Sequence, residues 1–144
     1  MTDAPRLDRQ VCFALYTASR AATAVYRPML EELGLTYPQY LVMLVLWESE
    51  PRSVKDLGEE LGLDSGTLSP LLKRLESMGL VERRRSGEDE RRVAIHLTPA
   101  GQALSSGATG IPERLARAAG LSPEELEQLR TTLGRLTAAL HNSH

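Results

Sequence analysis

Apolar positions recur along the chain with two different periods, and each change of period marks a new element. From the N-terminus, Leu7, Val11, Leu15, Ala18, Ala22 and Val25 return at threes and fours, and Met29, Leu30 and Leu33 carry the stripe on. This predicts one long helix over 5–33, ended by Gly34, in which Ala14, Ala18, Ala21 and Ala22 permit close approach of another helix. Thr36 or Tyr37 caps the next helix, with Pro38 in its first turn. The stretch Tyr40–Trp47 is apolar almost all round, which marks a buried central helix. Glu50–Pro51 closes it, and Arg52–Val54 suits a short strand.

A denser pattern runs from Ser53 to Leu97. SVKDLGEEL is a short amphipathic helix with Val54, Leu57 and Leu61 on one side. Gly62 permits a sharp turn, and Asp64 or Ser65 caps a following helix that buries Leu68, Leu71, Leu72, Leu75 and Met78 before Gly79. Pro70 lies inside that helix and removes the bond to the Gly66 carbonyl, which predicts a local bend near its start. Val93, Ile95 and Leu97 then alternate with Arg92, Ala94 and His96, the period of a half-buried strand. Paired with Leu80–Arg85 across Ser86–Gly87, this strand makes a hairpin carrying Arg83, Arg84, Arg85, Arg91 and Arg92. Two helices, a tight turn and a basic hairpin together read as a DNA-binding winged helix. The polar side of its second helix offers Ser65, Thr67, Ser69, Lys73 and Arg74 to base edges or phosphates. The bland alternative is that the arginines only solvate a hairpin surface.

Beyond the hairpin, Thr98 caps a helix with Pro99 in its first position. Gly107, Gly110 and Pro112 weaken it, which predicts a bend near Ile111–Pro112. Ser122 and Glu125 form a capping box for a last helix with Leu126, Leu129, Leu133, Leu136 and Leu140 at alternating threes and fours. The expected fold is mainly α with a small β-hairpin wing (α+β), in a single chain of 144 residues. Residues 36–97 form the winged helix-turn-helix region, and the stripes of 5–34 and 98–141 make those segments dimerisation helices. A homodimer is the economical way to cover them.

Composition narrows the picture. The net charge is −2, so any nucleic-acid contact must rest on local charge. The segment RRRSGEDERR supplies such charge, with five arginines against three acids. No apolar run is long enough to span a bilayer and no signal-peptide pattern opens the chain, so a soluble, cytoplasmic protein without membrane partners is expected. The histidines, His96, His141 and His144, have no metal-ligand spacing, and neither a metal, a cofactor nor a catalytic triad is expected.

The single cysteine, Cys12, excludes an intrachain disulfide. A lone cysteine on such a helix is ordinarily a small buried hydrophobe. Against that, Cys12 lies off the Val11–Leu15–Ala18 seam, in early turns where the helix dipole favours a thiolate, and shares its face with Tyr16 and Ser19. In a dimer, Tyr26 and Tyr37 are placed to approach the partner's sulfur, where phenol hydroxyls would favour its anion.

The strings TYPQYLVMLVLWE, LDSGTLSPLLKRLE and EDERRVAIHLT resemble the MarR family of bacterial transcription factors, and within it the OhrR-like organic-hydroperoxide sensors. That resemblance, which covers nearly the whole chain, implies a homodimeric repressor of a palindromic double-stranded DNA operator. It implies that Asp89 orients Arg91 toward the minor groove. It implies that Cys12 reacts with organic hydroperoxide, hydrogen-bonded across the dimer by Tyr26 and Tyr37, with Tyr16 beside it. Phe13, Leu15, Met43 and Trp47 are candidate walls for an apolar peroxide pocket. With no second cysteine, the chain resembles the one-cysteine class, in which the oxidised sulfur condenses with a low-molecular-weight thiol and the operator is released. Three other readings compete: a MarR-type repressor relieved by a phenolic or other small ligand with Cys12 incidental, a thiol peroxidase, and an architectural DNA-binding protein.

Overall fold

A computed structural model describes residues 5–85 and 92–143. The chain divides into two compact units, Met1–Thr109 and Gly110–His144. The first opens with a 3₁₀ turn, Leu7–Arg9, followed by α1 (Val11–Leu33), α2 (Tyr37–Glu48), β1 (Arg52–Ser53), α3 (Val54–Leu61) and α4 (Ser65–Ser77). Then come β2 (Val81–Arg85), β3 (Val93–Leu97) and α5 (Pro99–Ala108). The second unit holds α6 (Ile111–Ala119) and α7 (Pro123–His141).

The N-terminal helix is shorter than its apolar stripe. Gln10 is extended, with its side-chain amide folded back on the Arg6 carbonyl at 3.1 Å, so the 3₁₀ turn closes on itself and α1 starts only at Val11. The stripe could not reveal this, because nothing in 5–10 forbids helix. Pro28 lies inside α1 without ending it, and Gly34 at φ 72° does end it. Thr36 caps α2, accepting from the Gln39 N–H while the Gln39 side chain accepts from the Thr36 N–H.

The reader motif forms as its caps dictate. Ser53 caps α3, Gly62 turns the chain at φ 68°, and Asp64 Oδ1 accepts from Thr67 N at 2.8 Å to start α4. Leu57, Leu68, Leu72 and Leu75 are all at most 1% exposed. Each such buried side chain contributes about 1.5–3 kcal/mol. With Val42, Met43 and Leu46 of α2 and Ile95 of β3 they make the centre of the first unit's core. The helix runs unbroken through Pro70.

The hairpin is part of a three-stranded antiparallel sheet in the order β1-β3-β2. The short strand expected near Arg52–Val54 is Arg52–Ser53, and it pairs with β3, Arg52 opposite Ile95. In the hairpin, Val81 faces Leu97, Arg83 faces Ile95 and Arg85 faces Val93. The proposed turn at Ser86–Gly87 lies outside the described residues.

At the end of the sheet, helix, strand and loop meet very closely. Thr98 Oγ1 donates to the Gly79 carbonyl at 2.6 Å and caps α5 by accepting from Gly101 N at 3.0 Å. A Cβ on Gly101 would lie 2.1 Å from the Leu80 carbonyl oxygen, so only glycine allows α5 to pass here. From the other side, Trp47 Nε1 donates to the Gly101 carbonyl at 2.9 Å, tying α2 to α5.

In place of the bend expected near Ile111–Pro112, the helix breaks completely. The first segment stops at Ala108, and α6 restarts at Ile111 with Pro112 in its first turn. Pro112 has no N–H to continue the ladder, and a restart uses it where a missing N–H costs nothing. The Ser122–Glu125 capping box opens α7 as its spacing required.

Candidate DNA-reading face and sensing residues

The DNA-reading expectation concerns one face of α4. Leu68, Leu72 and Leu75 fix which side is buried, which leaves Ser65, Thr67, Lys73 and Arg74 exposed and Ser69 half-buried. The hydroxyls and cations named from the sequence therefore do lie away from the core, on a helix anchored from behind.

The hairpin arginines are not equivalent. Arg83 sits on the sheet face of Val81 and Ile95, where its N–H and Nε donate to the Glu76 carboxylate at 3.2 and 3.4 Å. It joins the wing to the end of α4, a structural role that the run of three arginines concealed. Arg84 points to the opposite face and pairs with Glu82 at 3.1 Å, holding that carboxyl below its usual range. Arg85 and Arg92 are exposed where the described parts of the two strands end. Asp89 and Arg91 lie outside the described residues. Sequence reasoning passed over Lys55, which is exposed in the first turn of α3 and shares an open groove of about 600 Å³ with Ser53, Arg83 and Arg92. Its only signal was its place two residues after the cap Ser53.

The residues expected to sense peroxide fall into two groups. Cys12 is exposed, the second residue of α1, with Tyr16 one turn on and also exposed. The Arg20 guanidinium lies 5.5 Å from the centre of the Tyr16 ring. Far along the helix, Tyr26 and Tyr37 meet with ring centroids 5.0 Å apart. Within one chain the groups do not meet. Tyr26 lies fourteen residues beyond Cys12 on the same helix, about 21 Å at 1.5 Å per residue.

The tyrosine group has a third member that the sequence reading left out. Tyr40 is 2% exposed, and its ring centroid lies 6.0 Å from that of Tyr26 and 6.3 Å from that of Tyr37. The spacing of Tyr37 and Tyr40, three apart on a helix, was the available signal. Burial, reinforced by the neighbouring phenols Tyr37 and Tyr40, pushes Tyr26 up to about 12. Burial and then Tyr37 raise Tyr40 as well. Both remain protonated near neutral pH and so keep an O–H to donate.

Of the proposed pocket walls, Met43 is fully buried, at 0% exposure, in the core of the first unit. Phe13 is partly exposed, and Leu15 and Trp47 are half-buried. Among the described residues no group of His, Cys, Asp and Glu is arranged to hold a metal, and no helix is long and apolar enough to cross a membrane.

Comparison with known proteins places this arrangement. Residues 24–107 match the family model for the transcriptional regulator SarA/Rot. The organic hydroperoxide resistance transcriptional regulator of Bacillus subtilis is 48% identical over 142 residues, covering 99% of this chain and 97% of that protein. The structure of reduced AbfR bound to DNA is 37% identical, covers 94% of each chain and superposes with a TM-score of 0.77. The overoxidized AbfR bound to DNA, also 37% identical, gives the same TM-score over 94% of this chain and 95% of the other; AbfR is a protein of Staphylococcus epidermidis. With a winged helix in place and a regulator of hydroperoxide resistance matching end to end, the chain belongs to the MarR family of transcriptional regulators, in its organic-hydroperoxide branch.

Proposed function

We propose that this protein is a homodimeric, redox-sensing repressor that leaves its operator when Cys12 is oxidised by an organic hydroperoxide. The observation that carries the reading is the match to the hydroperoxide regulator over 99% of the chain, because it spans sensor helix and DNA reader together. The geometry supports it. An exposed thiol stands near one end of α1 and a phenol pair near the other, so a two-fold partner running antiparallel along α1 brings each thiol to the other chain's phenols.

The chemistry is then direct. The Cys12 thiolate attacks the distal peroxide oxygen, the O–O bond breaks, and the leaving alkoxide takes a proton to become an alcohol. Sulfur is oxidised to the sulfenic acid and the peroxide is reduced. Attack by a low-molecular-weight thiol on the sulfenic sulfur expels water and leaves a mixed disulfide. That bulk has no room between two closely packed helices, and separating them moves the two readers off the spacing of a palindrome. On DNA, α4 enters the major groove with Ser65, Thr67, Ser69, Lys73 and Arg74, while Arg84, Arg85 and Arg92, with Asp89 and Arg91, follow the backbone and minor groove. Tyr16, Tyr26 and Tyr37 surround the sulfur.

The deciding experiment measures operator binding at fixed salt by wild type and Cys12→Ser, before and after stoichiometric organic hydroperoxide with a small thiol. Release of wild type alone is expected. Equal response of the two proteins would make Cys12 incidental and favour a ligand-relieved repressor. Repeated turnover of peroxide would instead identify a thiol peroxidase.

A further inference from the structure

Two residues of α4 oppose helix formation where nothing in the fold asks for them. Gly66 does not have the positive φ that requires glycine, and a Cβ there would meet only Asp64 Oδ1, at an ordinary 3.4 Å. Alanine would fit and would favour the helix. Pro70, four residues later, lies inside the helix and is exposed. Gly66, Pro70 and Lys73 form one row on the face opposite Leu68, Leu72 and Leu75.

The two residues act on the same atom. The Gly66 carbonyl would ordinarily accept from the N–H four residues on, and Pro70 has none. Carbonyls on the solvent side of a helix tilt outward. Residue 66 has no side chain of its own to stand beside this acceptor, and both Gly66 and Pro70 are exposed. The pair thus creates a bare backbone acceptor, midway along the first turns of the helix that faces away from the core.

We propose that the Gly66 carbonyl, released by Pro70, is a base-reading group. It accepts a hydrogen bond from the exocyclic amino group of an adenine or cytosine in the major groove and disfavours guanine or thymine, whose O6 or O4 would face it with a second acceptor. This rests on the reading of α4 as the DNA-reading helix. Pro70 is the positioning residue, and no side chain of α4 performs this part of the discrimination.

The test selects binding sites from a library of random-core duplexes, using the reduced full-length protein at fixed salt, for wild type, Pro70→Ala and Gly66→Ala. Pro70→Ala restores the missing N–H and closes the bond to Gly66; Gly66→Ala leaves the carbonyl free but crowds its approach. Both changes favour the helix, and unaltered helical circular dichroism checks that both variants fold. Wild type is expected to select a two-fold-symmetric site. Each variant should lose about tenfold preference at one A or C position per half-site, one hydrogen bond's worth, with the other positions unchanged. Identical preferences in all three proteins, or a loss spread evenly over every position, would overturn the role of Gly66 and leave α4 as a reader through its side chains. Failure of wild type to select any site would overturn both this role and the operator-binding reading.

Discussion

Tyr26 shows how much a single side chain depends on its neighbours. Burial, and then Tyr37 and Tyr40, penalise its phenolate and push the phenol up from 10.0 to about 12. The folded chain thus favours the protonated form, so this contribution to stability is whole below pH 10 and is lost as the pH rises through 12. Spectrophotometric titration should show tyrosines that ionise later than the rest, and Tyr26→Phe should remove the last step. Simultaneous ionisation of all four tyrosines would contradict this environment. At the sensing site, Tyr37→Phe should slow Cys12 oxidation roughly tenfold, since a hydrogen bond to an anion is worth about 1.5–3 kcal/mol. Operator binding by the reduced protein should persist. Stopped-flow oxidation rates equal to wild type would remove Tyr37 from the site. Cys12 and the Tyr26–Tyr37 pair could be singled out from residue types and helix faces. Tyr40 was passed over although it lies three residues after Tyr37, and its contact with Tyr26 depends on how α1 and α2 pack.

Between elements, local signals and long-range contacts divide the work. Thr36, Ser53, Asp64, Thr98 and Ser122 each cap the helix that follows, and each lies within three residues of the N–H it satisfies. Such bonds are written in adjacent residues and are legible for that reason. The Gln10 break is not, since glutamine there suits a helix and loses only to its own bond with Arg6. Nor is the meeting of Trp47, Leu80 and Gly101, which brings together residues up to 54 apart. There, Gly101→Ala should destabilise the protein by about 3 kcal/mol, because backbone must move where a Cβ would overlap the Leu80 carbonyl. Urea unfolding measures this, and a midpoint equal to wild type would mean that α5 can shift freely. Arg83 teaches the same lesson: in the sequence it is one of three consecutive arginines, but its register opposite Ile95 aims it at Glu76.

The whole molecule leaves apolar surface uncovered in each of its two units. Leu7 and Val11 are 64% and 66% exposed in the first, and Leu129 and Leu140 are 46% and 50% exposed in the second. Exposed apolar side chains of this kind are what a second copy covers. Sedimentation should find wild type as a dimer, and Leu129→Asp with Leu140→Asp should shift it to monomer and abolish binding to a palindrome but not weak, non-specific binding to duplex. A double variant that stays dimeric would place the interface elsewhere.

By itself the sequence determined the order of helices and strands, most of their caps and the buried sides of α2, α3 and α4 up to Leu75, because caps and periodicity act over a few residues. It also carried the family's strings and the lone cysteine. Tertiary structure alone decided the three-stranded order β1-β3-β2, the separate duties of the hairpin arginines and the meeting of Tyr40 with Tyr26. Those outcomes depend on which surfaces meet once the chain has collapsed, and residues far apart in sequence set that jointly. The distance from Cys12 to Tyr26 along α1 follows from helix periodicity alone.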